Sequence, residues 1–202
     1  MESIQYPQFD LKRSKVHIAL FKNVSNSGQV KSRIVAAATA EGDYGLQERA
    51  AVNFAFVEAR LITSRQHIET AIYQAILAEE AGTMLTKTVH SEILYFLNPT
   101  HNISEAIKRY GISTDTQDLI LVRIDEPNVK EEAVEIAMKS VIQGNIEAFS
   151  ALDDVTDWMT VKKYHKLSNE VAIAATRGNP AKEKSTIDTI VTSSVAMKNV
   201  MQ

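Results

Sequence analysis

Apolar residues recur along this chain at two spacings, and the alternation between them predicts its elements. Residues 15–21 (KVHIALF) place Val16, Ile18 and Leu20 on one side, the period of a strand. Residues 54–57 and 119–122 are short apolar runs that read as further strands, the second flanked by Asp118 and Arg123. Helical spacing governs 29–40, with Val30, Ile34, Ala37 and Ala38 inward. It is clearest over 64–81, where Ile68, Ala71, Ile72, Ala75 and Ile76 form a stripe. Thr63 and Gln66 have the spacing of a capping box there, and Gly82 closes the helix. Pro127 suits the first turn of a helix running to about 143, with Val129, Ala133, Ile136, Ala137 and Val141 inward. A short helix is expected over 158–164. Ser185 and Asp188 have cap spacing for a last helix, 185–202, whose stripe is Ile187, Ile190, Val191 and Val195, ending in Met197, Val200 and Met201. Three segments lack such a pattern. Residues 1–14 read as a flexible arm, the polar 41–53 (EGDYGLQERAAVN) as a surface loop, and Gly178-Asn179-Pro180 as a break and loop.

The stretch 84–112 (MLTKTVHSEILYFLNPTHNISEAIKRYGI) organises the rest. Asn102 can cap a helix by accepting a free backbone N–H, and Glu105 sits three residues on, where it can complete a capping box. Ile103, Ala106, Ile107 and Tyr110 then give one apolar face, and Gly111 is placed to end the helix. Asn98-Pro99 stops whatever precedes it, because the residue before proline is pushed out of the helical region. The run 93–97 is apolar throughout, so its period does not separate a buried helical turn from a buried strand. Helix is the expectation taken here.

Composition narrows the class. With 202 residues, 45% apolar and 23% charged, the chain is long enough for one domain with a substantial core. Strands scattered among helices predict a mixed α/β (α+β) fold, a small mixed β-sheet covered by several helices, spanning 1–202 as a single domain. The net charge of −3 supplies no bulk attraction to nucleic acid, so any RNA contact must come from a local patch. The absence of cysteine excludes disulfides, thiolate metal sites and thiol nucleophiles. The polar start of the chain leads us to expect no secretory leader, and no apolar run approaches membrane-spanning length. The five histidines show no zinc-ligand spacing, and no phosphate-binding glycine motif occurs, so no cofactor or metal is expected.

Two constellations remain. His90, Ser91 and Glu92 are adjacent, but neighbours in sequence point apart on a helix or a strand, so structural roles are the plainer reading. The basic groups are Lys108-Arg109, Lys162-Lys163 with Lys166, and Lys182 with Lys184. A solvated face explains each. The alternative is RNA contact, in which Lys and Arg take phosphates and Tyr110 or Tyr164 stacks on a base.

Lys87, HSEI at 90–93, NPT at 98–100, NISEA at 102–106, YGI at 110–112 and YHKLS at 164–168 follow one another within a similarity running over about 15–168. On these residues the chain resembles the kinase-binding small subunit of the KEOPS, or EKC, tRNA-modification complex, the PRPK-binding protein family. None of the shared blocks is a catalytic signature. The resemblance implies a non-catalytic adapter that binds the atypical small kinase of that complex and reaches the remaining subunits through it. It thereby implies support for N6-threonylcarbamoylation of the adenosine beside the tRNA anticodon, in cytoplasm and nucleus. It implies kinase docking through helices that include the last, making Ile187, Ile190, Val191 and Val195 the candidates. Archaeal members hold the tRNA 3′ end, which makes Lys87, Lys108, Arg109 and Lys163 candidate RNA contacts. Two other readings stay open: a kinase regulator without RNA contact, and a small-molecule enzyme in which His90, Ser91 and Glu92 converge on a pocket.

Overall fold

A computed structural model describes residues 1–200 of the chain; Met201 of the expected C-terminal stripe lies outside them. In chain order the elements are β1 (Glu2–Gln5), β2 (Lys15–Lys22), α1 (Ser27–Thr39), α2 (Gly42–Ala51), β3 (Ala55–Glu58), α3 (Arg65–Glu80), α4 (Val89–Leu97) and α5 (Ile103–Tyr110). There follow β4 (Leu119–Asp125), α6 (Glu131–Val141), β5 (Asn145–Glu147), α7 (Trp158–Tyr164), the single turn α8 (Val171–Ala174) and α9 (Pro180–Met197).

The five strands form one sheet, β1-β2-β4-β3 with β5 also paired to β2, and every pairing is antiparallel, so the sheet is not of mixed direction. β2 is the centre. Its register with β4 runs from Lys15↔Asp125 to Phe21↔Leu119. Its other edge is shared end to end, by β1 along Lys15–Ile18 and by β5 along Leu20–Lys22. Because side chains alternate across a strand, Val16, Ile18 and Leu20 join Val57, Ile120 and Val122 on one face. There they pack with Ile68, Ile72, Ile93 and Val191 from α3, α4 and α9. Ala19, Phe21, Phe56 and Leu121 form the other face, under Val30 of α1 and Val134, Met138 and Val141 of α6. Helices therefore cover both faces, and the α3–α4–α9 layer carries the features discussed below.

Several elements depart from the expectation. Residues 1–14 are not an arm: β1 pairs Glu2↔Ile18 through Gln5↔Lys15, and Arg65 ties down Glu2. Residues 41–53 are not a loop but α2, which packs on α1 through Gly45, the Arg33–Glu48 pair at 2.8 Å and Arg49 on the Ala40 carbonyl at 2.7 Å. The inward face of α6 is turned. Val129 precedes the helix, Ile136 is 69% exposed, and Val134, Met138 and Val141 carry the packing. α9 starts at Pro180 rather than Ser185. Asn179 caps it by accepting the Lys182 N–H at 3.1 Å, and proline at the first position loses no helical hydrogen bond.

Local signals fare better in α3 and α5. Ser64, not Thr63, caps α3, accepting the His67 N–H at 3.0 Å, while Gly82 ends it in the left-handed region. Thr63 instead donates to Asp188 of α9 at 2.6 Å. Asn102 caps α5 by accepting the Glu105 N–H at 2.9 Å. Gly111 ends α5 in an extended conformation, and its role is close approach, since a Cβ there would sit 2.5 Å from the Ile107 carbonyl oxygen.

Candidate functional site

The shared blocks meet where α4 ends. Thr88 caps this helix by accepting the Ser91 N–H at 3.1 Å. Glu92 folds back to accept the N–H groups of Leu85 at 3.1 Å and Thr86 at 2.8 Å. His90 points the opposite way. Its Nε2 accepts the Ile124 N–H at 3.2 Å, which leaves the proton on Nδ1 to be donated to Asn53 Oδ1 at 3.0 Å. Burial, then the charges of Arg13 and Arg123, push this imidazole down to about 3. His90, Ser91 and Glu92 thus serve three separate structural tasks and do not converge. Surface clefts of about 270 and 390 Å³ lie instead along β1, β5 and residues 147–153, with none of the three in their walls.

At the C-terminal end of α4, Asn98 is fully buried and Lys198, one residue past α9, is only 5% exposed. The Lys198 ammonium donates to the carbonyls of Asn98 at 2.5 Å, Thr100 at 3.0 Å and Tyr95, and lies 3.8 Å from the centre of the Tyr95 ring. A helix C-terminus leaves carbonyls unpaired and favours a cation, so one side chain meets both needs. Burial draws this ammonium down to about 8, against the opposing pull of Glu92.

The Asn98 side chain extends the network. Its amide donates to Thr100 Oγ at 2.8 Å, and its oxygen accepts from Arg109 at 3.4 Å. Arg109 also pairs with Glu105 at 2.6 Å and stacks over the Tyr164 ring at 4.4 Å. The Thr100 hydroxyl holds the Glu105 carboxylate below its ordinary range. Tyr110 and His165 meet at 3.0 Å beneath. The blocks at 98–100, 102–106, 110–112 and 164–168 therefore form one contiguous structure.

The structure separates the RNA candidates. Lys108 and Arg109 on α5 and Lys163 on α7 share this region, through the contact of Arg109 with Tyr164, and Lys108 and Lys163 are exposed. Lys87 is exposed at the other end of α4, about 13 Å of helix away. Among the other cations, Lys162 is paired with Glu183 at 2.8 Å and Lys184 lies over Trp158.

The kinase candidates fall differently. Ile187, Val191 and Val195 are 1%, 0% and 2% exposed within this chain's own core, and Ile190 packs partly buried against it. The apolar stripe therefore seats α9 beside α3 and leaves Ile187, Val191 and Val195 little surface for a partner. The outward side of α9 carries Thr189, Ser193, Ala196, Met197 and then Val200, all exposed. Gln74 of α3 donates to the Ala196 carbonyl at 3.2 Å, and Leu77, one turn further along α3, is exposed as well. The signal that would have found this face is the complement of the stripe, since positions 189, 193, 196 and 200 share one side of a helix.

Among the described residues no group of three or more His, Asp or Glu is placed to hold a metal ion, and no helix is long and apolar enough to cross a membrane.

Comparison with known proteins adds the following. Residues 21–199 match the family model described as kinase binding protein CGI-121. The chain is 33% identical to a Cryptococcus neoformans var. neoformans protein named EKC/KEOPS complex subunit CGI121, with 100% of both chains covered. It is 30% identical to proteins of the same name from Aspergillus fumigatus, covering 83% of this chain and 84% of the relative, and Yarrowia lipolytica, covering 84% and 88%.

Proposed function

The chain belongs to the CGI-121 kinase binding protein family, and from that membership we propose that it is an EKC/KEOPS subunit acting by binding alone. Its partner is the small atypical kinase of that complex, and its contribution to tRNA N6-threonylcarbamoyladenosine formation, in cytoplasm and nucleus, is to hold and regulate rather than to react. The observation that carries this reading is the two-sidedness of α9. One side is spent on the chain's own core, while Ala196, Met197 and Val200 are exposed, with Gln74 of α3 bound to the Ala196 carbonyl and Leu77, one turn along α3, exposed as well. Small residues allow a partner's backbone to approach, and the exposed apolar side chains supply area to bury. The separate structural tasks of His90, Ser91 and Glu92 support a non-catalytic role.

The test is capture of the cognate kinase by the full chain and by Ala196→Arg and Val200→Asp variants, with circular dichroism on each. Loss of capture by folded variants supports the face. Capture equal to wild type would place the dock elsewhere.

A second surface is supported by the contact of Arg109 with Tyr164 between Lys108 and Lys163. Here a guanidinium–aromatic stack, its charge shared with Glu105, has an exposed lysine next to each member in sequence, residue types that take a phosphate and a base. We read it as the tRNA contact, with Lys87 outside it. Holding tRNA beside a partner's active site raises its local concentration without any bond being made in this chain. Unchanged tRNA affinity in a Lys108→Ala, Lys163→Ala double variant would leave a kinase regulator without RNA contact.

A further inference from the structure

Lys198 belongs to neither proposed surface, yet it touches the supports of both. It follows Met197 and precedes Val200 on the outward side of α9, while its ammonium lies inside the turn that joins α4 to α5. That turn holds Asn98, whose side chain reaches Arg109, and Arg109 lies on Tyr164. We propose that Lys198 is a positioning residue that fixes the Asn98–Thr100 turn from the end of α9 and so sets the tRNA affinity of the Lys108–Arg109–Lys163 surface. This inference rests on the reading of that surface as the tRNA contact.

The geometry explains why one side chain suffices. Three carbonyls, those of Tyr95, Asn98 and Thr100, converge on a single point, and each would repel the others if no cation stood among them. A buried carbonyl without a donor costs more than a hydrogen bond gains, so removing the ammonium makes the turn reorganise to reach water. The first group to move with it is Asn98, because its backbone is held by Lys198 and its side chain by Thr100, Glu105 and Arg109. Arginine at 198 would keep the charge and the donors. Methionine would keep much of the bulk and neither.

The charge of this lysine also gives the test its readout. Its burial brings loss of the proton to about 8. The charged and titratable neighbours are Glu92 of α4, which holds the proton on, Tyr95 of α4, whose hydroxyl burial pushes above its ordinary value, and His165 after α7. Burial keeps His165 neutral above about 4, so it does not titrate where Lys198 does.

The experiment measures the affinity of the full chain for a transcribed, unmodified tRNA at about pH 7 and about pH 9. Wild type is expected to weaken by about fivefold or more between them, the low end of ordinary coupling between sites. Lys198→Arg is expected to bind as tightly and to stay flat over this range. Lys198→Met is expected to be weak at both values while its circular dichroism matches wild type. Wild-type affinity in Lys198→Met, or the same fall with pH in Lys198→Arg as in wild type, overturns the proposal and leaves the tRNA surface standing. If Lys108→Ala with Lys163→Ala binds tRNA as wild type does, the surface itself has been misread and the role of Lys198 falls with it.

Discussion

The Tyr110 hydroxyl and the His165 Nε2 stand 3.0 Å apart, joining the last residue of α5 to the residue that follows α7. The tyrosine is withdrawn from water and the histidine is half-buried. Tyr110 is fully buried and its hydroxyl is pushed well above the ordinary tyrosine range by burial, while His165 is pulled down to about 4. A neutral imidazole accepting from a neutral phenol satisfies both groups. Tyr110→Phe is expected to lower stability by about 1–3 kcal/mol, the cost of leaving a buried acceptor unpaired. Urea unfolding reads this directly, and an unchanged midpoint would mean that His165 has another donor.

Acid should destabilise the fold from near neutrality downward. His67 and His90 are held at about 3 and His165 at about 4, each chiefly by burial, against 6.5 for a free imidazole. Between those values the unfolded chain takes up protons that the folded chain refuses. Stability from these groups is therefore complete above about 6.5 and declines as pH falls towards the folded values, by at most about 1.4 kcal/mol per pH unit for each histidine. Urea midpoints should fall most steeply between about pH 6.5 and about pH 5, with only the smaller change from the single buried Lys198 between about pH 8 and about pH 7. Level midpoints down to pH 5 would contradict neutral burial of all three.

The two sides of α9 should separate stability from binding. Ile187→Ala empties part of the α3–α9 seam and is expected to cost about 2–5 kcal/mol. Val200→Asp, at a position 76% exposed, is expected to change stability by no more than about 0.5 kcal/mol. Thermal unfolding of both variants checks the pair, and equal losses would show that the outward side is not free.

α2 should detach without unfolding the rest. A Cβ on Gly45 would sit 2.2 Å from the Ala40 carbonyl oxygen, a contact no side chain accepts, and α2 packs on α1. Gly45→Ala is expected to cost about 1–3 kcal/mol locally, by overpacking. Hydrogen exchange should show faster amides over 42–51 and unchanged protection in α3 and α9. Global loss of protection would mean that α2 belongs to the cooperative core.

What was legible in the sequence was local or periodic. Asn102 announces α5 because capping is decided by a side chain three residues from its target. The stripe of α3 announces its buried face, and α7 begins and ends as the pattern predicts. α2 escaped because its one buried residue is a glycine, which leaves no stripe to read. Pro180 reads as a stop in the sequence, although Asn179 before it caps a start. Periodicity also located the stripe of α9, but an amphipathic pattern shows which side is apolar and not what that side meets; the resemblance offered it to a partner, and in this chain it packs into the core. Lys198 had no signal at all. A lysine near a chain end looks solvated, and only the arrival of α4's carbonyls from about a hundred residues away makes it a buried cation.

The sharing of β2's outer edge by β1 and β5 bears on how the chain is made. One edge of the central strand is closed by residues 2–5 and by residues 145–147, which lie far apart along the chain. Its other edge waits for residues 119–125. A nascent chain therefore holds a hairpin of β1 and β2 with bare apolar faces, one edge of β2 open along its length and the other open at Leu20–Lys22, until β4 and β5 follow. Such long-range closure slows folding, and an unpaired edge invites strands from other chains. Until β4 and β5 arrive, β2 is a template for strands of other chains.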